Sequence, residues 1–259
     1  MNIVVCVKQV PDTGAERNLR AEDARLDRAS ADGLMNELDE YAIEEGLRLT
    51  EAHGGEVTIL SMGPEQASET IRKALSMGAD NAVQLTDDAL AGSDALQTSY
   101  ALAQVLGRIG FDLVVLGAES TDARMGAMAA MLAERLGVPQ LSLASQVEID
   151  GSAVRIRRQS EDGYCVVEAS LPAVISVVEK INEPRYPSFK GIMAAKKKPV
   201  QAMALADAGV DQALVGLANA PTVVVDWADR PPRQAGTVVT DEGDGGVRAA
   251  GFLAASKFI

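Results

Sequence analysis

The chain has 259 residues, with 37 acidic side chains against 24 basic ones, a formal net charge of −13, and 47% hydrophobic but only 3% aromatic residues. Such a surface repels a polyphosphate backbone, which argues against nucleic-acid binding, and one histidine (His53), two cysteines and no CxxC pattern leave a zinc or haem site without ligands. No apolar run reaches the ~20 residues of a bilayer-spanning helix, and no basic-then-apolar targeting segment opens the chain, so a cytoplasmic protein is expected.

The first element, NIVVCVKQV (2–10), is a near-continuous β-branched run of the kind that forms a buried parallel strand. NELDEYAIEEGLRLTEAHGG (36–55) spaces Leu38, Tyr41, Ala42, Leu47 and Leu49 at helical intervals and stops at Gly54-Gly55. EVTILS (56–61) is a second strand, and GPEQASETIRKALSMGAD (63–80) is a helix opened by Pro64 and closed by Gly78. NAVQL (81–85) is a third strand, residues 94–107 a helix, DLVVLG (112–117) a fourth strand, and MGAMAAMLAERLG (125–137) a further helix. Strand and helix alternating at this spacing predict an α/β fold, an open and mostly parallel sheet with helices on both faces.

The texture then changes. QVEIDGSAVRIRRQ (146–159) predicts a β-hairpin about its Asp-Gly turn, and YCVVEASL (164–171) and AVISVVEKI (173–181) add strands. Beyond residue 182 periodicity fades, and ALADAGVDQALVGLANAP (204–221) and DRPPRQAG (229–236) predict an extended, turn-rich tail that wraps another surface. The expected division is therefore a domain over 1–181 that includes the hairpin, an arm with a lysine run over 182–200, and a tail over 201–259.

Open parallel sheets bind ligands outside the carboxyl ends of their strands, where strand order reverses. Two loops fall at such ends: Lys8 to Asp12 after the first strand, and GAESTDARMGAM (117–128) after the fourth. The second joins glycine, Ser120, Thr121 and Asp122 to a helix start, an arrangement suited to an anion. The alternative is that Thr121 or Asp122 simply caps the helix. A carboxylate beside a bound phosphate needs a cation, and Arg124 is near in sequence. Cys6 and Cys165 lie in apolar runs and are expected to be buried thiols; Asp87-Asp88 and Glu44-Glu45 are expected on solvated faces. His53, at a helix end, suits the dipole rather than a site. Acid–base or nucleophilic machinery is not apparent, so a catalytic role is not expected.

LPAVISVVEKINEPRYPSFKGIMAAKKKPV (171–200) closely resembles the signature of electron transfer flavoprotein beta subunits, and VKQVPDT, MNELDEYAIEEGLRL, GPEQASETIRKALSMGAD and the late RQAG are similar to that family at the same places. The resemblance implies an electron-carrier subunit without catalytic residues, in a heterodimer whose alpha subunit mainly holds FAD. It implies electrons arriving from acyl-CoA and related dehydrogenases, in fatty acid oxidation, and leaving to a membrane quinone oxidoreductase. It further implies a sheet resembling the adenine-nucleotide alpha-hydrolase fold with bound AMP. By position, the AMP contacts fall at Cys6, at Asn36, Glu37, Leu38 and Asp39, at Met62, and along Ala118, Glu119, Ser120, Thr121, Asp122, Ala123, Arg124, Met125 and Gly126. The loop TDARMG is shorter than the commoner family pattern. The same resemblance makes Tyr186, Pro187, Ser188, Phe189 and Lys190 a partner-recognition loop, with Phe189 as its anchor and the tail on the alpha subunit. The lysines Lys196, Lys197 and Lys198, with Lys190, could steer an acidic partner. Two other readings stand beside this one: an electron-bifurcating subunit with its own FAD, and a self-sufficient adenine-nucleotide-binding stress-type module.

Overall fold

A computed structural model describes residues 1–228, 231–233, 236 and 238–259. In chain order the first half comprises β1 (Asn2–Cys6), β2 (Gln9–Pro11), β3 (Gly33–Met35), α1 (Glu37–His53), β4 (Glu56–Met62), α2 (Ser68–Met77), β5 (Asn81–Leu85), α3 (Ala95–Ile109), β6 (Leu113–Gly117) and α4 (Met128–Leu136). The second half comprises β7 (Gln140–Asp150), β8 (Ala153–Ser160), β9 (Gly163–Ser170), β10 (Ala173–Val177), α5 (Phe189–Ala195), β11 (Val200–Met203), α6 (Leu205–Ala208) and α7 (Gly245–Ala255).

Among the described residues, one nine-stranded sheet runs in the order β11-β5-β4-β1-β6-β10-β7-β8-β9, and β2 pairs with β3 in a separate antiparallel ribbon. Every pairing from β11 through β7 is parallel, whereas β7–β8 and β8–β9 are antiparallel. The mostly parallel α/β sheet expected from the alternation is therefore present, and the hairpin makes it mixed at one side. Its centre is apolar on both faces because both are covered. Ile3 and Val5 of β1 join a core with Ile43 and Leu47 of α1 and Ile71 and Leu75 of α2. Val4 and Cys6, pointing the other way, join Leu102, Val105 and Leu106 of α3 and Leu132 of α4. Asp94 caps α3 reciprocally with Gln97, which fixes where that helix starts.

From β1 the chain moves one way along the sheet to β4 and β5, then returns through α3 to place β6 on the other side of β1. Strand order reverses between β1 and β6. The hairpin turns where Asp-Gly stands: β7 ends at Asp150, Gly151 has a φ of 57°, and β8 starts at Ala153.

Three expectations need correction. Cys165 is exposed, because β9 is the last strand of the sheet and mostly solvent-facing. Residues just beyond 200 are not an extended tail: β11 adds in parallel to the free side of β5, and Met203, Leu205, Ala208, Val210 and Val215 enter the core under α3. The chain divides instead into Met1–Val224 and Val225–Ile259. The second unit contains a helix, α7, whose turns bury none of its own residues although it carries Val247, Phe252 and Leu253. Of the stretch read as turn-rich at 229–236, residues 229, 230, 234 and 235 lie outside the described residues. Among the described residues no helix is long and apolar enough to cross a membrane.

Candidate functional site

The reversal between β1 and β6 brings together segments far apart in sequence. Asn36, at the N-terminus of α1, is almost wholly buried and works in two directions. Its Nδ2 donates to Asp39 Oδ1 and to the carbonyl of Glu119, both at 3.0 Å, while its Oδ1 accepts from the Thr121 backbone N–H at 3.0 Å. Asn36 thus locks the loop after β6 onto the first turn of α1. Asp39 accepts from the Lys8 backbone N–H at 2.8 Å, tying the end of β1 to the same point. Gly117, the last residue of β6, has room for nothing larger: a Cβ there would lie 2.7 Å from Asp39 Oδ1 and 2.8 Å from Leu38.

Over this knot sits an ionic cluster. Lys8 Nζ donates to Ser120 Oγ at 3.3 Å and to Asp122 Oδ1 at 2.9 Å. Arg28 reaches the other carboxylate oxygen of Asp122, and Arg17 Nη1 donates to the Thr121 carbonyl at 3.0 Å. The Asp122 side chain is 2% exposed. Burial pushes its carboxyl up, but the Lys8 charge and hydrogen bonds from Lys8, Ser120 and Arg28 outweigh that and hold it well below the usual carboxylate range. Asp39 is the opposite case: burial raises its carboxyl to about 7 against hydrogen bonds from Asn36 and from the Lys8 and Gly117 amides. Burial, then the neighbouring Asp39, also pushes the Cys6 thiol up, so Cys6 is inert core.

Of the residues expected to line a nucleotide, Asn36, Leu38, Asp39, Ala118, Glu119, Ser120, Thr121 and Asp122 gather at this point, and Cys6 and Met62 end the adjacent strands β1 and β4. Glu37, Ala123, Arg124, Met125 and Gly126 face solvent. The partner of Asp122 is not Arg124, as sequence proximity suggested, but Lys8 and Arg28. Arg17 and Arg28 carry no local signal of this role, since they lie in the excursion between β2 and β3 and meet the loop only through the fold. Within the loop, Thr121 Oγ1 is buried and lacks a hydrogen-bond partner among the described residues. A buried hydroxyl left unpaired beside two cations and a helix start is suited to an anionic ligand group.

The second feature is the arm. The pair Glu44-Glu45, expected on a solvated face, is buried because the arm covers it. Asn182 Nδ2 donates to the Tyr41 carbonyl at 3.1 Å and to Glu45 Oε2 at 3.0 Å, and Arg185 pairs with Glu44 at 2.7 Å. Past this point Tyr186 is 96% and Phe189 81% exposed. Ser188 caps α5 by accepting from the Gly191 N–H at 3.0 Å. Phe189, Ile192 and Met193 lie three and four residues apart on α5, so these exposed apolar side chains share one face. The arm therefore contains a short helix that presents an apolar face. Lys190, Lys196 and Lys197 are exposed. Lys198 turns inward, where its Nζ donates to the carbonyls of Leu75, Gly78 and Ala79 and caps the end of α2.

Residues 23–208 match the family model of the electron transfer flavoprotein domain. The chain is 52% identical over 264 residues to the electron transfer flavoprotein subunit beta of Mycobacterium tuberculosis, covering 100% of this chain and 99% of that protein. It is 37% identical to the corresponding subunit of Megasphaera elsdenii, covering 94% and 93%. Protein FixA of Azorhizobium caulinodans is 38% identical, with 86% and 83% covered. The likeness spans the switch-point loop, the hairpin, the arm and the C-terminal unit alike, and the chain belongs to the electron transfer flavoprotein family, on the side of its beta subunits.

Proposed function

We propose that this chain is the beta subunit of a heterodimeric electron carrier. Its partner alpha subunit mainly holds FAD, acyl-CoA and related dehydrogenases deliver electrons in fatty acid oxidation, and a membrane quinone oxidoreductase receives them. When bound, the flavin supplies the redox chemistry. This chain contributes docking, a wall of the flavin site and a structural nucleotide, in the cytoplasm. The observation that carries the docking role is the apolar face of α5, with Phe189 81% exposed at its first turn. A solvent-facing aromatic on a fixed helix suits a carrier that must be held close to one redox partner after another.

The nucleotide is AMP at the β1/β6 reversal, on a sheet akin to the adenine-nucleotide alpha-hydrolase fold. The residues present fit it. Lys8 and Arg28 together outweigh the single charge of Asp122, Ser120 and Thr121 offer hydroxyls, and the loop backbone leads into α4. Asn36 holds that loop in place. The C-terminal unit, whose α7 buries none of its own side chains, contacts the alpha subunit. Lys190, Lys196 and Lys197 steer acidic partners, with Lys198 spent on α2.

The test is the ligand released on denaturing this chain purified alone. AMP without absorbance near 450 nm is expected. A flavin released by this chain alone would favour the bifurcating reading, and absence of any adenine nucleotide would overturn the nucleotide assignment.

A further inference from the structure

The arm is held at both ends. On its far side Arg72 Nη1 donates to the carbonyls of Ala195 at 2.7 Å and Lys198 at 3.0 Å. On its near side Asn182 is bonded to Tyr41 and Glu45 of α1, and the last hold before the exposed residues is the Arg185 guanidinium. Arg185 Nε and Nη2 donate to the two oxygens of Glu44 at 2.7 and 3.0 Å, while Nη1 and Nη2 donate to the two oxygens of Glu51 at 2.6 and 3.2 Å. The Arg185 backbone N–H adds a further bond to Glu44 at 3.1 Å. Glu44 and Glu51 stand two turns apart on α1, and their side chains converge on one guanidinium, whose planar fork offers two donor edges where a lysine ammonium offers a point charge. Tyr186, the residue after this fork, is almost fully in solvent, and Phe189, three residues on, opens α5.

We propose that Arg185 is a positioning residue for docking: its double fork to Glu44 and Glu51 fixes the start of the arm, so that the apolar face of α5 is presented in one orientation before a partner arrives. This rests on the reading of α5 as the docking face. An arm ordered in advance pays no ordering cost on binding. An arm released from α1 spends part of its time misdirected, and affinity falls by the fraction lost.

The test is steady-state reduction of the assembled, flavin-loaded heterodimer by a purified acyl-CoA dehydrogenase, with the carrier as varied substrate. Arg185→Gln is expected to raise the apparent KM about tenfold, as for an arm correctly placed a tenth of the time. It should leave kcat, flavin content and subunit assembly as in the wild type, and speed amide hydrogen exchange over residues 186–195. Arg185→Lys, which keeps the charge but forks to one acid only, should fall between the two. If Arg185→Gln does not fold, Glu51→Gln at an exposed acid removes half of the fork and is expected to raise KM about threefold. Phe189→Ala in the same assay separates the ideas. A KM raised by Phe189→Ala but untouched by the Arg185 and Glu51 variants overturns the positioning role and leaves the docking face standing. A KM untouched by all of them overturns both.

Discussion

Two carboxylates at the strand reversal respond to burial in opposite directions, and the difference lies in what faces them. Asp122 is paired directly with two cations and stays ionised, whereas Asp39 accepts hydrogen bonds only from amide N–H groups and feels the Lys8 charge without pairing with it, so burial prevails and raises it to about 7. For Asp39 the unfolded carboxyl titrates near 4. Its contribution to stability is therefore complete below about 4 and is lost as pH rises through about 7. Asp122 contributes in the opposite sense, with stability present above about 4 and lost as pH falls. Asp39→Asn cannot ionise and removes the first slope. Urea unfolding of the nucleotide-free chain across this range should show the variant gaining on the wild type as pH rises from about 4 to about 7; a difference that stays constant would contradict the burial argument. The loop carrying Ser120, Thr121 and Asp122 was legible in the sequence, because it follows an apolar strand and precedes a helix. The identity of the cations was not, since Arg28 lies 94 residues from Asp122 and only the path between β2 and β3 brings it back.

At the scale of elements, α5 shows what a run with weak periodicity conceals. Seven residues are too few to give a helical pattern, and such a helix is marginal without tertiary support. That support comes from α2. Ala195 is buried in the core that α2 shares, and Gly191 crosses so close to the end of α2 that a Cβ would collide with the Ser76 carbonyl oxygen. Gly191→Ala should therefore push α5 off α2, costing about 1–3 kcal/mol as overpacking usually does. Denaturant unfolding measures the cost, and faster hydrogen exchange over 189–198 locates it. The strand β11 was hidden for a related reason: its four residues alternate too briefly to signal a strand, and the open side of β5 recruits them. Longer elements, from β1 through α4 and the Asp-Gly hairpin, were legible because their patterns run for several periods or end on unambiguous turn residues.

Over the whole molecule, the sheet fixes two surfaces: the ionic cluster at the β1/β6 reversal, which we propose holds a nucleotide, and the exposed apolar face of α5, which we propose as the docking surface and which Arg185 and Arg72 bracket. The α/β class and the family were legible in the sequence. The boundary of the second unit at Val225 was not, because the residues between 200 and 224 show their core role only once Met203, Leu205 and Val215 are seen under α3. The most direct test of the docking role is the concentration of assembled heterodimer needed to half-saturate an acyl-CoA dehydrogenase, compared between wild type and Phe189→Ala. Loss of ~1.5–3 kcal/mol of buried aromatic contact predicts a KM higher by roughly 10- to 150-fold, with kcat, flavin content and assembly retained. An unchanged KM would contradict the account.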